Sequence, residues 1–277
     1  MCILFIYRNP NADIKSYRFI IATNRDEIYK RPALSAHYWN KHPECLGGID
    51  MEPGREGGTW LALSLKGKAA VILNLVNEKN LNSSKKSRGF LISNFVTSND
   101  SIETYLNELY KENSNGQPYN PYSLVLLDLK NANTHYLSSD SKSTGPKMCD
   151  SDIIGIGNSG IEHSYKKVEV GKEEFKCIVQ NANVSKQNTL IEELINFLKS
   201  RTKYLPDPEL QKTYPTVYEE LSSIFVSENE YGTRTHSILL IDGSNHVTFV
   251  EETLTSDLTW KRQQFQNELI YKRSNSN

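Results

Sequence analysis

The sequence predicts a layered α+β fold, on three observations. Apolar β-type runs stand near both chain ends, helical periodicities are grouped between them, and the regular β-α alternation of a doubly wound parallel sheet is missing. The first run, CILFIY at 2–7, is too short for a membrane span or a signal peptide's apolar region and reads as a strand. YRFIIAT at 17–23 is a second strand, ending in Asn24-Arg25-Asp26-Glu27, whose composition alone reads as a solvated loop. Residues 59–76 split into two β-type runs about Lys66-Gly67, the pattern of a hairpin. RGFLISNFVTS and SIETYLNELYKE then carry Leu91 and Phe95, and Ile102, Leu106 and Leu109, at helical spacing.

SLVLLDL (123–129) and HYLSS (135–139) predict another hairpin across an Asn-rich connection, followed by a short strand in DIIGIG. Residues 164–182, 188–200 and 215–225 each combine an apolar stripe with a charged face and read as helices. HSILLID and HVTFVEE form a last hairpin about Gly243-Ser244-Asn245. Residues 261–277 are polar and are expected to be a frayed tail. No repeat, low-complexity block or long linker interrupts residues 1–260, so a single domain is expected there.

Charge and cysteine usage narrow the function classes. With 32 basic against 33 acidic side chains there is no electrostatic attraction to nucleic acid or an anionic membrane, and nucleic acid is not expected as a partner. Cys2, Cys45, Cys149 and Cys177 are far apart and form no CxxC pair, which suits a reducing, cytoplasmic compartment. The N-x-S sequons at Asn82, Asn99 and Asn183 are then chance matches.

The chain start can carry chemistry. If residues 2–7 and 17–23 pair as an antiparallel hairpin, Arg25 or Asp26 returns beside Cys2. Removal of Met1 would leave Cys2 with a thiol and a free α-amine of reference pKa ~7.7–8.0, nucleophile and base in one residue. A neighbouring guanidinium would favour the thiolate. Asn158 in GIGNS can donate an amide N–H to an oxyanion, and Arg234 in YGTRTHS can orient a carboxylate or a loop. Against this stands the commoner case in which second-position cysteines, strand-end asparagines and paired arginines are structural. GIGNSG also fits a dinucleotide pattern through Gly155, Gly157 and Gly160, but no second parallel strand follows within about thirty residues. His37, His42 and Cys45 are loosely spaced for a metal and are read as structural.

MCIL at the start, TNRDE at 23–27, Pro32 and Trp39, LGGIDMEPGREGGTWLALS at 46–64, SRGF at 87–90, GIGNS at 155–159 and YGTRTHSILLID at 231–242 occur in that order. Together they resemble the NRDE superfamily and, within it, the Transport and Golgi organization 2 family. The chain departs from that pattern at Ser164-Tyr165, where the family has Pro-Trp, and at Leu73-Asn74, where it has Thr-Asn.

The resemblance implies an N-terminal-nucleophile-hydrolase-like fold, a four-layer αββα sandwich of two antiparallel sheets. It carries catalytic-type positions onto Cys2, Arg25, Asp26, Asn158 and Arg234, and ligand-binding positions onto Asn24, Glu27 and Asn74, with no metal. It further implies a cytoplasmic protein, associated with mitochondria or Golgi, that binds and mobilises haem or acyl-CoA and lipid-type ligands and serves Golgi organisation, secretion and mitochondrial metabolism. Two alternatives remain open: a Cys2-dependent amidohydrolase acting on a small amide, and a trafficking scaffold with a vestigial pocket. No cofactor is required. Haem enters as cargo, for which Cys2, His37, His42, His163 and His236 are the available iron ligands.

Overall fold

The computed structural model describes residues 1–75, 82–140, 143–161 and 164–270. In chain order its strands and helices begin with β1 (Ile3–Arg8), β2 (Tyr17–Ile28), β3 (Ala33–Trp39), β4 (His42–Asp50), β5 (Leu61–Ser64) and β6 (Lys68–Asn74). Helices α1 (Phe90–Thr97) and α2 (Ile102–Gly116) precede β7 (Tyr122–Asp128), β8 (Asn133–Ser138), β9 (Lys147–Met148) and β10 (Ile153–Ile156). Then come α3 (Lys166–Val179), α4 (Gln187–Leu198), α5 (Pro208–Thr213), α6 (Tyr218–Leu221), β11 (Ser227–Glu228), β12 (Tyr231–Asp242), β13 (His246–Leu254) and β14 (Trp260–Glu268).

The strands form two sheets whose laddered pairs are all antiparallel. The first has the order β10-β1-β2-β12-β13-β14, with β11 on β12; the second runs β3 to β9 in chain order. Strand alternation explains how they stack. On β1, Ile3 and Phe5 face α3 and α4, with Phe5 stacked 5.6 Å from Phe175 and edge-on 5.0 Å from Phe197. Leu4 and Ile6 face the other way, into an apolar layer shared with Leu61, Leu63 and Val71 of the second sheet. Ala70, Leu124 and Leu126 on that sheet's outer face pack against Leu91, Phe95 and Leu106 of α1 and α2. Three apolar layers therefore separate four structural ones, in the αββα order expected. No helix among the described residues is long and apolar enough to cross a membrane.

Several elements differ from expectation, each for a physical reason. Asn24-Arg25-Asp26-Glu27 is the last third of β2, not a loop, because β12 pairs with it along its whole length. β3 and β4 escape sequence reading since their apolar alternation is broken and β4 contains Gly47-Gly48. A Cβ on Gly47 would lie 2.6 Å from the Leu61 carbonyl oxygen, so that glycine permits close strand approach. The helix expected over 215–225 is one turn, Tyr218–Leu221, and the Asp207-capped α5 stands before it. Residues 260–268, expected within or bordering a frayed tail, form the edge strand β14 on β13. Its WKRQQFQNE sequence is held by backbone pairing with little apolar burial, which leaves no periodic signal to read. GIGNSG starts within β10, at Gly155, and that strand runs antiparallel to β1, as its dismissal as a dinucleotide site requires.

Candidate ligand-binding and active site

The register of β1 on β2 builds the site. Ile3 lies opposite Asn24, so Met1 and Asp26 share one face of the sheet, while Cys2, Arg25 and Glu27 share the other. The backbone N–H of Asp26 donates to the Cys2 Sγ at 3.3 Å, and the thiol donates back to the Asp26 carbonyl at 3.6 Å. The expected return of the polar segment to the chain start is therefore present. On the helix-facing side the Asp26 carboxylate accepts from Thr233 Oγ1 at 2.7 Å and pairs with the Met1 ammonium at 3.1 Å, both side chains being buried. The Tyr231 hydroxyl closes on the same ammonium.

On the inter-sheet side, Cys2 lies at a cavity of about 360 Å³ between the sheets and the segments that follow β4 and β6. Arg25, Arg31, Arg55 and Arg88 all line it. The Arg25 guanidinium sits 4.0 Å from the Trp60 ring centroid and 3.8 Å from Glu27, and Arg31 forks the Asp50 carboxylate at 2.7 and 3.1 Å. Set against four guanidiniums, the carboxylates facing this space are those of Glu27 and Asp50, since Asp26 is engaged on the opposite face. Burial pulls the Arg25 and Arg88 guanidiniums below their ordinary value, Arg88 to about 10, which still leaves Arg88 cationic at neutral pH.

The Cys2 thiol is pushed up by burial; the chain-start ammonium and Arg25 oppose that shift without cancelling it. With Met1 in place the thiol form is therefore favoured, the neighbouring guanidinium notwithstanding. Behind the ladder, Lys167 of α3 is wholly buried and donates to the Ser223 carbonyl at 3.0 Å; its ammonium falls to about 8 through desolvation, with Asp26 pulling the other way.

The remaining expected site residues fall in different places. Glu27 and Asn74 line the cavity with Cys2 and Arg25. Asn158 and Arg234 do not line it. Asn158 Nδ2 donates to the Asn74 carbonyl at 2.5 Å, so one of its two N–H groups supports the cavity wall. Arg234 sits at a β-bulge, between the Thr233–Asp26 and Thr235–Arg25 pairs. The extra residue frees its side chain to donate to the Ile28 carbonyl at 3.2 Å and to that of Arg31, clamping the turn that presents Arg31. Asn24 belongs to the other face: its amide donates to the Leu198 and Ile224 carbonyls at 2.9 and 3.0 Å, tying β2 to the helical layer.

Of the histidines considered as iron ligands, His163 lies outside the described residues. His37 and His42 stand on β3 and β4, away from the cavity lining. His236 is buried in a stack with Trp260, and its Nδ1 approaches the Asn24 Oδ1 at 2.7 Å. Because both hydrogens of the Asn24 amide are committed to carbonyls, that contact requires the Nδ1–H tautomer. Burial pushes the ring's pKa down to about 3. The unfolded chain, titrating near ~6.5, then binds a proton that the folded chain refuses, so stability is lost as pH falls from 6.5 toward 3. Urea unfolding at pH 7 and pH 4.5 is expected to show a drop about 2 kcal/mol larger in wild type than in His236→Phe. Equal drops would remove this role.

Arg31, Asp50, Arg55, Trp60 and Arg88 were not singled out as site residues. The signal was nevertheless available, because all but Arg31 lie inside the quoted LGGIDMEPGREGGTW and SRGF segments.

Comparison with known proteins follows the same residues. A family model described as Transport and Golgi organisation 2 matches residues 1–256. The Transport and Golgi organization protein 2 of Drosophila melanogaster is 34% identical over 263 residues, covering 92% of this chain and 93% of the relative. The Homo sapiens homolog is 32% identical over 261 residues, with 92% and 93% covered. Among solved structures, a mutant of the conjugated bile acid hydrolase from Clostridium perfringens is similar at 10% identity and a TM-score of 0.42, covering all of both chains.

Proposed function

This chain belongs to the Transport and Golgi organisation 2 family, and from that premise we propose that it binds and mobilises an anionic ligand of the acyl-CoA or haem class. Its setting is the cytoplasm at Golgi or mitochondrial surfaces, where that carriage serves Golgi organisation, secretion and mitochondrial metabolism. The observation that supports this reading is the convergence of Arg25, Arg31, Arg55 and Arg88 on one cavity beside Trp60. Desolvated guanidiniums hold carboxylates and phosphates through charge-assisted, often two-point, hydrogen bonds. An acyl-CoA fits this better than haem, since Cys2 is the sole cavity-lining member of the iron-ligand set considered, among the described residues, and burial keeps it protonated.

A second reading rests on Cys2 itself. Its sulfur lies at the cavity with Arg25 on the same strand face, the placement an amidohydrolase nucleophile needs once Met1 is removed. Titration of octanoyl-CoA and haemin into wild type and Cys2→Ala, alongside an amide-hydrolysis assay, separates the two. Binding of octanoyl-CoA within about threefold in Cys2→Ala is expected, because carriage draws on the cations and the apolar wall rather than on the thiol. Amide turnover that disappears in Cys2→Ala, with neither ligand bound by either protein, would replace the carrier with the hydrolase. Peptide mapping of the chain start accompanies the assay, since an intact or acetylated Met1 leaves no α-amine at Cys2 for hydrolysis.

A further inference from the structure

A second concavity, of about 600 Å³, adjoins the Cys2 cavity and shares Arg55, Ser83 and Ser87 with it. Its cations are Arg55, Lys85 and Lys86, and no carboxylate is among its described lining residues. Two aromatic rings, Phe90 and Tyr119, complete it. The cations are held only lightly. Lys86 reaches Glu112 at 2.8 Å in a largely exposed pair, Lys85 reaches the Tyr119 carbonyl at 3.3 Å, and Arg55 reaches the Ser83 carbonyl at 3.5 Å. A ligand phosphate can take over such contacts at small cost, because exposed ion pairs contribute little and carbonyls are weaker partners than a phosphate dianion.

Resting on the anionic-ligand reading above, we propose that this adjoining groove is a nucleotide-phosphate subsite, so that the ligand is elongated and spans both spaces. Its nucleotide phosphate lies against Arg55, Lys85 and Lys86, its flat ring covers Phe90 or Tyr119, and its remaining length, with the diphosphate, runs past the shared Arg55 toward Arg25 and Cys2. The separation of the cations into two groups joined by Arg55 is what selects this class. A compact monoanion would engage one group and leave the other in water, whereas a nucleotide-headed thioester engages both. Aromatic side chains accept a nucleobase face irrespective of its edge, so the rings add affinity without demanding a particular base.

The test uses the full chain and two probes, octanoyl-CoA and octanoyl-3′-dephospho-CoA, in calorimetric titrations of wild type, the Lys85→Ala/Lys86→Ala double variant and Arg25→Ala. Wild type is expected to prefer the 3′-phosphorylated probe by about tenfold, the effect of one charge-assisted phosphate contact. The double variant should lose that preference while binding the dephospho probe within about twofold of wild type. Arg25→Ala should weaken both probes and retain the preference. The subsite is overturned, with the parent reading intact, if wild type binds both probes equally, if the double variant keeps the preference, or if wild type binds haemin but neither thioester. Wild type that binds none of the three ligands would remove the parent reading, and this one with it.

Discussion

Asp26→Ala is expected to lower the unfolding free energy by about 3–5 kcal/mol, the cost of breaking a buried ion pair from one side. Asp26 is 5% exposed; its carboxylate accepts from Thr233 at 2.7 Å and sits 3.1 Å from a chain-start ammonium that is itself buried. Removing it leaves that ammonium and the Thr233 hydroxyl without their shared acceptor, and the nearby buried charge of Lys167 without its countercharge. The Tyr231 hydroxyl remains beside the ammonium but offers no countercharge. Asp26→Asn keeps the volume and an acceptor for Thr233 while deleting the charge, so it isolates the electrostatic part. Urea unfolding monitored by tryptophan fluorescence measures both, with the midpoint shifting and the slope unchanged. A loss under about 1 kcal/mol in Asp26→Ala would show that solvent reaches the pair and that the network behind Cys2 is not a structural element.

For function, the largest loss is expected from Arg25→Ala, about 10–100-fold in octanoyl-CoA affinity, the value of a hydrogen bond to a charged group. Arg25 is 7% exposed and lies over Trp60, so water competes poorly for its donors and the indole fixes its plane. Arg25→Lys separates charge from shape. A lysine keeps the cation but loses the planar fork and the stack, and an intermediate loss is expected. Thermal unfolding run in parallel guards against a folding effect, since Glu27 loses a partner but keeps Arg31 at 3.6 Å. Affinity within twofold of wild type in Arg25→Ala would mean that the ligand's charge sits elsewhere, and the cavity beside Cys2 would no longer be the ligand site.

How much of this was legible depends on which signals are local. The hairpins at 59–76 and 236–252, both helices around 90–112 and those at 164–200 carry their periodicity in contiguous residues, and they appear close to where the pattern puts them. The pairing of residues 2–7 with 17–23 was also readable, because a short connection between two apolar runs leaves an antiparallel hairpin as the simplest geometry. That hairpin alone brings Arg25 and Asp26 beside Cys2.

The sequence by itself therefore determined the layered α+β class, the chain-start hairpin and the polar segment that meets Cys2. Tertiary structure alone decided on which side of the sheet each member of that segment acts. Strand alternation sends Asn24 and Asp26 toward the helices and Arg25 and Glu27 toward the cavity, a split visible only once Asn24-Arg25-Asp26-Glu27 is known to be strand rather than loop. It also decided that Arg234 clamps a turn instead of lining the cavity, because its direction follows from a bulge between two strands about 200 residues apart in sequence, a register that no local pattern encodes. The guanidinium cluster is long-range in the same sense. Arg25, Arg31, Arg55 and Arg88 are spread along the first third of the chain and become one electrostatic site only when two sheets stack and exclude water between them.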